Sequence, residues 1–260
     1  RGRLFGYYDM MWAVGATLGP LAVTTALWAG NWRLAYYALG ASFLPVIALV
    51  WYLPSPVIEG GDEPLTLAGV RRIVRSPAVV VMAAGLLFAT GIEGGLFTWL
   101  TTYAGSRLPD SLATVSLSVL LVAYIPGRFA AGTLSDRFGY VPLAAGLGTL
   151  CLLSAVYTFV FASGYGLLVG VFGIGLGLSG LYPTFLAYAT ESTPEHSAPV
   201  NALALVISSG AIAGVPTVMG FVIDGAGVDT AMQLLFVPLV GLLLVTVLAW
   251  VRLPSPSRSP

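Results

Sequence analysis

AVVVMAAGLLFATGIEGGLFTWLTTY, residues 78–103, is a 26-residue apolar run whose single charged side chain, Glu93, lies near its midpoint. About 20 consecutive apolar residues cross a bilayer as a helix. The run is uniformly apolar rather than alternating, so it predicts a transmembrane helix and not a barrel strand. Keeping a charge at the centre of a bilayer costs about 3 kcal/mol or more. A chain that keeps a carboxyl there uses it to hold an ion, a proton or a polar solute. Glu93 is therefore the first candidate functional group.

The rest of the chain has the same character. Of 260 residues, 57% are hydrophobic and 8% charged, against about 25% charged in a soluble domain. There is too little polar side chain to cover a water-facing surface, so most of the surface must face lipid. Eight runs are long and apolar enough to span: Met10–Ala29, Leu34–Leu53, Ala78–Tyr103, Leu112–Phe129, Val141–Ala162, Tyr165–Thr190, Pro199–Ile223 and Ala231–Val251. The fold class expected is an all-α membrane protein with eight transmembrane helices.

Charge placement sets an expected orientation. Eight spans put both ends on one side. With that side cytoplasmic, Arg1, Arg3, Arg71, Arg72, Arg75, Arg128, Arg137, Arg252 and Arg258 are inside, and Arg33 and Arg107 are outside. That bias follows the positive-inside rule for a cell (plasma or inner) membrane. Trp28, Trp32, Trp51, Trp99, Tyr103 and Trp250 fall near span ends, as an interfacial belt requires. The longest connection, 54–76, holds Glu59, Asp62, Glu63 and three arginines, and divides the chain into residues 1–53 and 77–260.

The zero net charge offers no footprint for nucleic acid. Cys151 is the single cysteine and His196 the single histidine, which excludes an internal disulfide and leaves no Cys/His metal cluster. No G-x-x-x-x-G-K-[ST] phosphate loop occurs, nor a Ser/His or paired-acid constellation at membrane depth. An enzyme and a cofactor are not expected.

An internal echo links the ends of the chain. The first span contains Gly15-Ala-Thr-Leu-Gly19-Pro20 and the seventh Gly210-Ala-Ile-Ala-Gly214-Val-Pro216. Small residues at such spacing serve helix packing, and proline serves a hinge. Six-span parallel repeats are the plan of one large transporter class. On that plan 77–260 is a six-helix half, 1–53 supplies the last two helices of the other half, and 54–76 joins them.

Between the fourth and fifth spans stands Gly132-Thr-Leu-Ser-Asp136-Arg137-Phe-Gly139-Tyr140, preceded by Pro126-Gly127-Arg128. Read locally, it is a tight charged cytoplasmic loop in which Asp136 can pair with Arg128 or Arg137. It resembles the G-x-L-x-D-R-x-G-R loop of the major facilitator superfamily, at the place of that family's second copy. The resemblance extends over the whole chain, from the end of the fourth family helix through the twelfth. It implies a truncated 12-helix fold, here 2 + 6 helices, that is monomeric when completed by the preceding helices. It also implies that the loop latches two halves during alternating access. Tyr140 replaces the family's last basic residue, which weakens that latch. Gly15–Pro20 is similar to a fifth-helix motif of the family's drug antiporters, but Val23-Thr24 replaces the following glycine pair. Gly91-Ile-Glu93, with Trp99 and Tyr103, is similar to the seventh helix of fucose-permease-type sugar symporters. Ser179-Gly-Leu-Tyr182-Pro183-Thr is similar to their tenth.

Helical spacing places Thr90, Glu93, Phe97 and Thr101 on one face of the third span. Further candidates for a solute or proton pathway are Tyr124 in the fourth span, Ser179 and Tyr182 beside the helix-kinking Pro183 in the sixth, and Asn201 and Ser208 in the seventh. Asp9 fits a helix start better than a transport role. The function expected is secondary transport of a small polar solute, sugar-like, driven by a proton gradient. Drug or metabolite efflux and a non-transporting receptor on the same fold are the alternatives.

Overall fold

The structure, a computed structural model, describes residues 14–15, 18–19, 25–26, 29–53 and 67–252. Met10–Ala29 and Pro20 therefore lie mostly or wholly outside the described residues, as does the connection at 54–66. Within them the chain is helical: α1 (Arg33–Tyr52), α2 (Leu67–Arg75), α3 (Pro77–Gly105), α4 (Asp110–Phe138), α5 (Tyr140–Val156), α6 (Tyr165–Ser179), α7 (Leu181–Ser192), α8 (Ser197–Leu234) and α9 (Phe236–Arg252). No strand occurs among the described residues. In lipid every backbone N–H and C=O must be paired within its own segment, and a helix does this.

The helices combine into spans. A π-helical turn, Tyr157–Phe161, extends α5. α6 and α7 form one span interrupted at Gly180. The α8 stretch is two helices broken at Gly227, whose φ of 85° is open to glycine and costly for other residues. The break separates the seventh and eighth expected spans. Seven of the eight expected spans are thus present among the described residues, with ends within a few residues of those expected except at the fourth, which runs to Phe138 instead of Phe129.

One expectation is corrected. Residues 132–140 were expected to form a loop. Instead α4 continues to Phe138, and the chain leaves the helix only at Gly139, with φ 83°. The segment contains helix-compatible Leu134 and Arg137 and follows Ala130 and Ala131. Thr133 and Ser135 bond back to carbonyls of their own helix, to Ala130 at 2.9 Å and Gly132 at 2.9 Å. Charge marked this segment as leaving the membrane, not as leaving the helix. The 54–76 connection likewise ends in a helix, α2, with Ile73 buried and Arg71, Arg72 and Arg75 exposed.

The six-span body is built around α3, which packs against α4, α7, α8 and α9. Met82, Leu86, Leu96 and Leu100 of α3 are fully buried, with Leu120, Leu167, Ile174, Leu181 and Met219 around them. Large apolar side chains such as Phe129, Phe161, Val169 and Phe221 point outward, which is the inversion lipid permits. α1 buries none of its residues.

The tightest contact joins α3 and α8. A Cβ at Gly94 would lie 2.5 Å from the Ile212 carbonyl oxygen and 2.8 Å from its Cα. Cβ atoms at Gly91 and Gly95 would strike Val215 and Met219. Trp99 Nε1 donates to the Pro216 carbonyl at 2.9 Å, closing the same interface. Gly15, Gly19, Gly132, Gly210 and Gly214 have no described atom within 4 Å of an added Cβ. The close approach is thus made by the glycines that flank Glu93 against the backbone of Ile212, inside the second G-A-x-x-G motif, while that motif's own glycines, Gly210 and Gly214, take no part in it.

Gly94→Ala is expected to lower stability by about 1–3 kcal/mol through overpacking against backbone, although alanine favours a helix. Gly210→Ala should leave stability unchanged or slightly raised. Thermal unfolding of the two variants in detergent checks both.

Candidate functional site

α3 uses two faces differently. Gly91, Gly94 and Gly95 meet α8, and this turns Glu93 toward α4. There Tyr124 Oη donates to Glu93 Oε1 at 2.9 Å. One helical turn further along α4, the Arg128 guanidinium lies 5.6 Å from the centre of the Tyr124 ring. The Phe97 ring, one turn from Glu93, tilts against Tyr124 with centroids 6.4 Å apart. Glu93 keeps partial accessibility although protein atoms surround it densely, whereas Tyr124 is buried.

Acid, phenol and guanidinium therefore form a polar line along the α3–α4 seam. The phenol donates and the carboxyl accepts, so Tyr124 fixes one oxygen of Glu93. Hydrogen bonds in membrane interiors are worth about 0.5–2 kcal/mol each, so the line orients side chains more than it stabilises the fold.

The other candidates lie as follows. Thr90 is buried and spends its hydroxyl on the Leu86 carbonyl of its own helix at 2.7 Å. Thr101, a turn beyond Phe97, is half-buried. Ser179 is buried and donates to the Leu176 carbonyl at 3.0 Å, against Gly127 of α4. Pro183 follows the Gly180 break with the half-buried Tyr182 beside it. Asn201 is exposed near the start of α8, and the buried Ser208 hydroxyl has no partner among the described residues. The Pro216 carbonyl is held by Trp99.

The motif at the end of α4 is arranged differently from its sequence reading. Asp136 is exposed and in no ion pair among the described residues. Arg137 stacks on Phe138 at 5.6 Å. Arg128, read as part of the charged loop, belongs to the polar line instead. Tyr140, at the departed basic position, donates its hydroxyl to Glu191 at the end of α7. At the opposite end of the bundle Arg107 pairs with Asp229 at 2.9 Å. No group of three or more His, Cys, Asp or Glu able to hold a metal occurs among the described residues.

Comparison with known proteins agrees with this architecture. The sequence model of the Major Facilitator Superfamily matches residues 1–214 and, overlapping, 111–260. The chain belongs to the Major Facilitator Superfamily and is an integral membrane protein. It is 24% identical over 215 residues to the glucose/mannose transporter GlcP of Bacillus subtilis (strain 168), covering 77% of this chain and 53% of that protein. It is also 24% identical to an uncharacterised MFS-type transporter, Ent638_1421, of Enterobacter sp. (strain 638), covering 80% of this chain and 53% of that protein. The chain spans about half the length of the curated relatives it matches.

Among solved structures, the E. coli fucose:proton symporter FucP (N162A) aligns with a TM-score of 0.67 at 17% identity, covering 84% of this chain and 57% of that one. A bacterial homologue of the iron transporter ferroportin, outward-facing, aligns with a TM-score of 0.61 at 17% identity, covering 95% of this chain and 64% of that one. These likenesses concern the fold.

Tyr124→Phe is expected to destabilise by about 0.5–2 kcal/mol, and the effect should largely vanish in a Glu93→Gln background. A double-mutant cycle by chemical unfolding in detergent measures the coupling.

Proposed function

We propose that this chain carries the coupling half of a secondary transporter that moves a small polar, sugar-like solute by alternating access, driven by a proton gradient. The observation that carries the reading is the Glu93–Tyr124 hydrogen bond on a membrane-spanning helix, with Arg128 beside it. A carboxyl in such surroundings is costly to leave charged and unpaired. Protonation removes that cost. A solute donor or the neighbouring cation offsets it when the proton leaves. Proton loading and solute binding are thereby linked through one group. The likeness to GlcP, by name a glucose/mannose transporter, supports a sugar-like solute.

Residues 77–260 form one half of the transporter on this reading, and residues 1–53 the last two helices of the other. Helices beyond the described ones complete a monomeric transporter, consistent with an α1 that buries none of its residues. The nine-to-two arginine bias favours a cytoplasmic position for the α2 end of the bundle and for both chain ends. The α4 end at residues 132–139 then serves as the cytoplasmic gate, using the Tyr140–Glu191 bond in place of an Asp136 ion pair.

The test is accumulation of radiolabelled glucose, mannose and fucose by the complete transporter in proteoliposomes with an imposed pH gradient. Gradient-driven accumulation is expected for the wild type, and only equilibration for Glu93→Gln. A Glu93→Gln protein that accumulates solute to the wild-type level, with the same gradient dependence, removes the proton role.

A further inference from the structure

Away from the α3–α4 seam, a cavity of about 850 Å³ opens at the end of the bundle where α2 meets the α7–α8 connection. Arg71, Arg72 and Arg75 line one side, and Glu195 and His196 of the connection line the other. Formal charge there is three positive against one negative. None of the three guanidinium groups is in an ion pair among the described residues. The arrangement is built and not incidental. Ile73 is buried among the core residues at the base of α3, and this holds α2 against the bundle with its arginines exposed. Ser76, directly before α3, and Ser192, the last residue of α7, also line the cavity. They mark the ends of two membrane-crossing helices, so the cavity opens at the level of lipid headgroups.

We infer that this cavity binds a phosphate-bearing anion at the membrane surface, with Arg71, Arg72 and Arg75 as its ligands. Guanidinium groups match phosphate oxygens in paired hydrogen bonds. Three of them lining one cavity, with Glu195 as the one opposing carboxylate among the described residues, leave an excess of donors and charge there that an anion satisfies. Two sources supply that chemistry: the headgroup of an anionic phospholipid, which lies at this depth, and free phosphate. The inference rests only on the chain being embedded in a membrane, and it stands or falls separately from proton coupling at Glu93.

The experiment is thermal unfolding of the protein in detergent with added phosphatidylglycerol, phosphatidylcholine or inorganic phosphate, paired with lipid binding by native mass spectrometry. Phosphatidylglycerol is expected to raise the unfolding temperature where phosphatidylcholine does not. In Arg71→Gln/Arg72→Gln/Arg75→Gln its affinity should fall on the order of 100-fold. These residues are exposed, so the variant folds. Arg252→Gln, an exposed arginine at the same end of the bundle, should bind as the wild type does. A shift produced by inorganic phosphate as well, and lost in the triple variant, assigns the site to phosphate in general. A shift by phosphatidylglycerol alone assigns it to lipid.

The inference is overturned by a phosphatidylglycerol shift that survives in the triple variant, or by the absence of a shift with both anions. It is also overturned by a shift that appears only in Glu59→Gln/Asp62→Gln/Glu63→Gln, since the chain's own acids then occupy the cavity.

Discussion

Backbone-to-backbone proximity of α3 and α8 is the constraint on which the rest of this body depends. Membrane helices have no hydrophobic driving force toward one another, so they hold together by close packing and a few interhelical hydrogen bonds. Gly91, Gly94 and Gly95 remove side chains where α8 crosses, and Trp99 secures the crossing on the Pro216 carbonyl. Because these residues lie within two turns of Glu93 on the same α-helix, the same contact fixes the rotation of α3. Once the glycines face α8, Glu93 and Phe97 face α4. The packing seam and the polar seam are two consequences of one orientation.

The polar seam shows how a carboxyl is accommodated in such a place. Glu93 is neither sequestered nor solvated. One oxygen is engaged by Tyr124, and Arg128 lies one turn away on the same helix as Tyr124. The i, i+4 spacing of Tyr124 and Arg128 stacks them along α4, so a single rigid helix presents both to the acid. Thr90 lies on the same face but satisfies itself on its own backbone. The face is therefore less polar in practice than its composition, which concentrates the chemistry on the carboxyl.

Most of the fold was legible because lipid imposes simple rules. A long apolar run must be a helix, and a short polar break must be a turn. Ile223 and Ala231 bracketed a connection that the structure makes with Gly227. The rule failed at 132–140, where charge and glycine suggested a loop and the chain stayed helical to Phe138. Leaving the membrane and leaving the helix are different events, since water accepts a helix end as readily as a loop. The G-A-x-x-G repeat misled in another way. Small residues permit close approach, but at Gly210 and Gly214 no described helix makes one.

The sequence by itself determined the membrane class, the spans and the presence of one costly carboxyl at mid-membrane, because each follows from local composition and the energetics of lipid. It also placed Thr90, Glu93, Phe97 and Thr101 on one face, since helical periodicity is local. Only the tertiary structure decided what that face meets. Tyr124 is 31 residues from Glu93 and Pro216 is 117 from Trp99. Such partners depend on helix rotation and crossing, which no local pattern encodes. The same holds for the arginines of α2: their charge was evident in the chain, and the cavity they line exists only because α2 docks beside the α7–α8 connection.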